Sequence, residues 1–194
     1  MNSTAPGYTY DQTLAPSPVS MGELDELKAS VAWTDRDRAA LRRAGQILVP
    51  RAEEILDVWY GFVGSHSHLV GTFAAADGQP SGEYLAAVRK RFALWIRDIC
   101  ERDYDQRWLD YQQEISLRHH TERKNQTDHV DSSSSYVPLR HLIALVAPVT
   151  LTIRPFLTDG ESDGAQVDAM YAAWLKAVTL SVALWARSYA PSTW

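Results

Sequence analysis

Tyr84, Val88, Phe92, Trp95 and Ile99 follow one another at steps of three and four residues, which places them on one face of an α-helix. A half-buried strand would need alternation at every second residue, and no segment of the chain shows it. The helical period recurs along the sequence. Leu24, Leu27 and Val31 carry it from Met21, and Leu41, Leu48 and Val49 carry it after Thr34. Ile55, Val58, Trp59 and Phe62 carry it between Arg51 and Val63. Punctuation sets the ends. Pro50 kinks a helix or opens the next. Ser81 caps a helix from Gly82 to Ile99, and Asp103 with Gln106 predicts a capping box ahead of a helix from Tyr104 to His120. Pro138 opens an apolar helix through Leu142, Leu145, Val149 and Phe156, with Pro148 expected to kink it. A last helix runs from Ala165 to Tyr189. Polar loops are expected at residues 76–82, 121–135 and 159–164. The reading is an all-α domain of seven or eight helices over residues 21–194. An irregular arm, residues 1–20, precedes it and is tacked down by Tyr8 and Tyr10.

Charge and cysteine content narrow the function. Twenty-four acidic residues against 19 basic ones give a net charge of −5 with no basic stripe, which argues against nucleic-acid binding. A single cysteine, Cys100, excludes an internal disulfide and multi-cysteine zinc or iron–sulfur sites. The N-terminus lacks the basic start and apolar run of a secretory signal. No apolar stretch is expected to reach the roughly 18 residues of a membrane span. A cytoplasmic location is the expectation.

Six histidines are present: His66, His68, His119, His120, His129 and His141. On the helix from Tyr104, His119 continues a stripe through Trp108, Tyr111 and Ile115. His120 continues a more polar one through Leu109, Gln113 and Ser116. His119 therefore sits at the edge of a core, where a neutral imidazole suits iron. A buried histidine held by a hydrogen bond fits the spacing equally well. No HExxH pattern or Cys pair supports zinc, and no nucleophile elbow or glycine-rich phosphate loop is present. Trp59-Tyr60-Gly61-Phe62 sets rings and a phenol beside a glycine read as a point of close approach. Leu85, Val88 and Phe92 form one apolar strip. The two segments suit either a dry pocket with the Tyr60 hydroxyl as donor or a plain aromatic core.

Several runs resemble the protoglobins: Asp57-Val58-Trp59-Tyr60-Gly61-Phe62-Val63-Gly64-Ser65-His66, Tyr84-Leu85-Ala86-Ala87-Val88-Arg89-Lys90-Arg91-Phe92 and Trp108-Leu109-Asp110-Tyr111-Gln112. Leu117-Arg118-His119-His120, Lys124-Asn125-Gln126-Thr127-Asp128 and Met170-Tyr171-Ala172-Ala173-Trp174 extend the likeness, as does Pro6-Gly7-Tyr8-Thr9-Tyr10. The resemblance implies a globin-like helical sandwich with an additional N-terminal helix and an N-terminal extension that helps bury haem b. It implies O2, CO and NO as ligands and His119 as the proximal iron ligand. Trp59, Tyr60 and Phe92 match distal aromatics, and Leu85 and Val88 match neighbouring pocket residues. Arg91 matches a position near the haem propionates. Leu142, Leu145 and Val149 are assigned to the cofactor pocket from the apolar helix, with Leu145 standing where relatives carry Phe and so enlarging a channel or the pocket. A homodimer through the last two long helices is also implied.

Reversible gas binding, for binding itself or for sensing, is the leading expectation. The rivals are a haem enzyme of nitrogen or oxygen chemistry or of carbene-type transfer, a sensor acting through a separate partner, and a haem-free adaptor. No reductase or output domain is expected within the 194 residues.

Overall fold

In the computed structural model, residues 5–74, 81–129 and 134–194 are described. They form eight α-helices and no strand. α1 (Met21–Ser30) starts with a reciprocal cap between Ser20 and Glu23. α2 (Asp35–Leu48) and α3 (Ala52–Gly64) are separated at Pro50. A short α4 (Ser67–Val70) and one 3-10 turn (Gly71–Phe73) follow. α5 (Gly82–Glu101) starts at the predicted cap, where Ser81 Oγ accepts from the Tyr84 amide. α6 (Gln106–His119), α7 (Leu139–Gly160) and α8 (Gly164–Ala186) complete the order. The loop predicted at residues 76–82 lies mostly outside the described residues.

Two expectations are corrected. Asp105, not Asp103, caps α6, its carboxylate accepting from the Trp108 amide at 2.9 Å. Asp103 instead meets Arg42 at 2.8 Å. As expected, Pro148 lies inside α7, which also holds a second interior proline, Pro155, and stays helical through both. Finally, α7 and α8, at 22 and 23 residues, are long and apolar enough by composition to cross a bilayer, against the expectation of no such stretch. That is a weak sign of a membrane, because a core helix has the same character. α8 packs on α2, α5, α6 and α7 and buries Met170, Trp174 and Trp185 among them.

The packing frames a hollow. α2 crosses α5 and also contacts α7 and α8, while α3 packs on α5 and α7. Arg38 of α2 donates to the carbonyls of Cys100 and Glu101 at 3.1 and 2.7 Å, placing a cation on the exposed C-terminal carbonyls of α5. The close approach occurs at Gly45, where a Cβ would lie 2.9 Å from Cys100 Cβ. Gly61, read from sequence as the close-approach glycine, is exposed and would meet nothing within 4 Å.

Gly45→Ala weighs two opposed effects. Alanine gains about 1 kcal/mol of helix preference over glycine. Overpacking the α2–α5 crossing loses about 1–3 kcal/mol. The variant is expected to lower the thermal midpoint; a raised midpoint would show that the helices do not cross this closely.

Candidate functional site: an apolar cavity with one imidazole

The largest aromatic stripe of α5 does not close on itself. It faces a cavity of about 240 Å³ between α3 and α5 on one side and α6, α7 and α8 on the other. Trp59 and Tyr60 reach it from α3, Val88, Arg91, Phe92 and Trp95 from α5, and His119 from α6. Leu142, Leu145 and Val149 reach it from α7. Nine of the ten residues expected from the sequence at the cofactor pocket thus line one cavity. Leu85 is the exception. It lines a second cavity of about 330 Å³ with Val70, Ala86 and Arg89. Three residues of helix turn Leu85 some 60° away from Val88, from 100° per residue. Tyr60, Val63 and Phe73 line both cavities and form the partition between them.

His119 stands in the last turn of α6. Its Nδ1 lies 2.9 Å from the carbonyl oxygen of Ile115 and donates to it, so the ring carries its proton there and Nε2 keeps a lone pair. Nε2 has no protein partner among the described residues. Metal-bound histidines are held in this way, by a carbonyl on the other ring nitrogen. The ring is deep in the protein yet retains accessible surface, because that surface faces the cavity. Burial pushes its pKa down from 6.5 to about 4, against a smaller opposing pull from the Ile115 hydrogen bond. The imidazole is therefore neutral at pH 7, the state a metal ligand requires.

His120 has a different place. It is the C-cap of α6, edge-on to the Tyr189 ring and outside the cavity wall. Leu109 and Ser116 of its stripe are nonetheless fully buried, Ser116 against α8, while Gln113 is half-buried. Periodicity alone did not separate the two faces by burial; the cavity separates them.

Tyr60 contributes the second polar atom of the wall. Its hydroxyl is buried without a hydrogen-bond partner. Burial raises its pKa, the largest effect, and Arg89 and Arg91 oppose this only weakly, so the phenol keeps its proton. Such a group costs about 1–3 kcal/mol if nothing accepts from it. The aromatic wall continues through Trp59, Phe92 and Trp95, with successive rings 5.8 and 5.2 Å apart.

The remaining polar wall holds three cations beside one carboxylate, Asp128. Arg91, Arg118 and Lys124 line it. Arg91 is paired bidentately with Asp128 at 2.7 and 2.6 Å and donates to the Pro6 carbonyl at 2.8 Å. Arg118 donates to Glu114, to Thr9 Oγ1 and to the Gly7 carbonyl. Lys124 is buried, donates to the Ser134 carbonyl at 2.9 Å, and has its pKa pushed down to about 8 by burial. The N-terminal arm thus closes the cationic end of the cavity, and the Tyr8 hydroxyl anchors it to buried Asp98 at 2.8 Å. Lys124 and Arg118 lay within quoted sequence runs without being singled out. Their signal was a cation within a few residues of His119.

An apolar slot, a neutral imidazole with a free lone pair, a protonated hydroxyl without an acceptor, and a cationic edge fit a flat, dicarboxylic, metal-bearing ring. Among the described residues no group of three or more His, Cys, Asp or Glu side chains is placed to hold a bare metal ion.

A family model described as Protoglobin matches residues 20–194. No curated protein matches the chain.

The His119 environment sets a pH dependence for the ligand-free protein. Below 6.5 the unfolded chain takes up a proton that the folded ring refuses until about pH 4. This contribution to stability is complete above 6.5 and is lost as the pH falls through that window. His119→Phe should flatten the fall of the urea midpoint between these pH values; an unchanged slope would contradict the buried neutral ring.

Proposed function

The chain belongs to the protoglobin family, a globin-like all-α family of haem-based gas binding or sensing, and we propose that it binds O2, CO and NO reversibly at a haem b held by His119. The observation that carries this reading is the His119 ring, whose free Nε2 belongs to a cavity wall otherwise aromatic and aliphatic. When bound, haem supplies the iron at which a diatomic gas is taken up. The chain supplies everything else. Ile115 fixes the tautomer of His119 and makes the imidazole a better donor. Arg91, Arg118 and Lys124 offer charge-assisted hydrogen bonds to two carboxylates. Trp59, Val88, Phe92 and Leu145 exclude water. Tyr60 holds a proton on a hydroxyl with no acceptor of its own, ready for the more polar of the gases. Leu145 on the wall and the second cavity behind Tyr60 favour a further reading, in which the site also admits a reactant larger than a gas.

The same reading includes a homodimer. Ile143 and Leu151 of α7 and Leu175 of α8 are 57%, 61% and 41% exposed, large apolar side chains left uncovered on the two helices that the family likeness implies as the interface. Sedimentation should give twice the 21.8 kDa chain mass, and a monomer at high concentration would refute it.

Tyr60→Phe tests the gas site. The account expects O2 to leave the ferrous variant at least about 10-fold faster, the loss of one hydrogen bond of about 1.4 kcal/mol, with CO release little changed. Equal effects on both gases would remove Tyr60 from the donor role.

A further inference from the structure

Trp185 of α8 lies face to face with His119, ring centroids 5.0 Å apart and planes at 20°. Three residues of α6 grip this one tryptophan. Gln112 accepts its indole N–H at 3.0 Å, Ser116 donates to its backbone carbonyl at 2.7 Å, and His119 takes its ring face. Gln112 and His119 are seven residues apart, two helical turns, and so lie on one side of α6. Tyr189 closes the far side, its hydroxyl donating to the His119 carbonyl at 2.8 Å.

The Gln112 contact is not what this core needs in order to fold. Trp95, Trp108 and Trp174 are as buried as Trp185, and each leaves its indole N–H without a partner. The fold tolerates three such groups. Yet it buries a whole amide side chain, Gln112 at 1% exposure, to satisfy that of Trp185. The tryptophan so favoured is the one stacked on the cavity imidazole.

We propose that Gln112 and Trp185 are positioning residues for His119, fixing the plane of its ring. The Ile115 hydrogen bond restrains the imidazole at one nitrogen only, and rotation about that contact remains. A flat indole pressed on the ring face stops it, provided the indole itself is held, and Gln112 holds it. This inference rests on the reading of His119 as the iron ligand.

The test uses the ferrous, ligand-free holoprotein. Resonance Raman scattering in the iron–imidazole stretching region reads the orientation of the ring, and haem transfer to excess apomyoglobin reads its grip. Gln112→Leu is expected to broaden or split that band and to speed haem loss about 10-fold or more, the usual scale for losing a partner behind a metal-bound histidine. Gln112→Glu, which keeps an acceptor, should restore one sharp band and slow transfer. Trp185→Phe keeps a ring on the imidazole but no N–H to anchor it, and should reproduce the Gln112→Leu band even where that variant folds poorly. A Gln112→Leu protein with a lower thermal midpoint but an unchanged band and transfer rate would make the pair merely structural and overturn the proposal. A wild-type protein with haem but no iron–imidazole band would instead overturn the assignment of His119, and the positioning role with it.

Discussion

Between His119 Nδ1 and the carbonyl of Ile115 runs a 2.9 Å hydrogen bond, and the use the protein can make of its cavity depends on it. The bond places the one ring proton on the nitrogen that faces the helix. The other nitrogen is left with a lone pair inside an enclosure of aromatic and aliphatic side chains. Burial keeps the ring neutral, and neutrality keeps the lone pair free. A charged ring there would be costly in so apolar a site and useless as a ligand. The remainder of the domain meets the consequences. α8 supplies a flat surface for the ring, α7 and α5 supply dry walls, and the arm ties down the guanidinium groups of Arg91 and Arg118 at the polar end.

Two of the unpaired polar groups on the cavity wall, which also carries the indole N–H of Trp95, share a common explanation. Tyr60 carries a buried hydroxyl without an acceptor, and His119 a nitrogen without a donor. Folded proteins seldom leave such groups alone unless something else fills the space. A haem with a polar diatomic ligand, held as proposed, would answer both. The same arrangement without a cofactor would be a poorly satisfied core.

Much of this was legible in the sequence. The α5 stripe, the Ser81 cap and the run from Trp108 to His119 follow from a period of 3.6 and from side-chain capping, which are local properties. Nine of the ten residues expected at the pocket line the cavity, and they were chosen because they lie on stripes or within runs that resemble protoglobins. What escaped depends on packing between distant segments. Gly45 is one helical residue among many until α5 is laid across it. Leu85 belongs to the same apolar strip as Val88, and only the Tyr60–Phe73 partition assigns it to another cavity. Ser116 belongs to the more polar stripe and Gln112 to no apolar one, yet both turn inward because α8 offers them Trp185. Asp105 displaced Asp103 as a cap because two arginines of α2 draw Asp103 away.

In the proposed haem site His119, and not its neighbour His120, would meet the iron. The most direct measurement is the optical spectrum of haem-reconstituted protein, ferrous and ferrous–CO, for His119→Ala and His120→Ala beside the parent. His120→Ala should retain haem and the parent spectrum, while His119→Ala should lose haem or show an unligated form that imidazole in solution restores. Haem held normally by His119→Ala, or lost by His120→Ala alone, would contradict it.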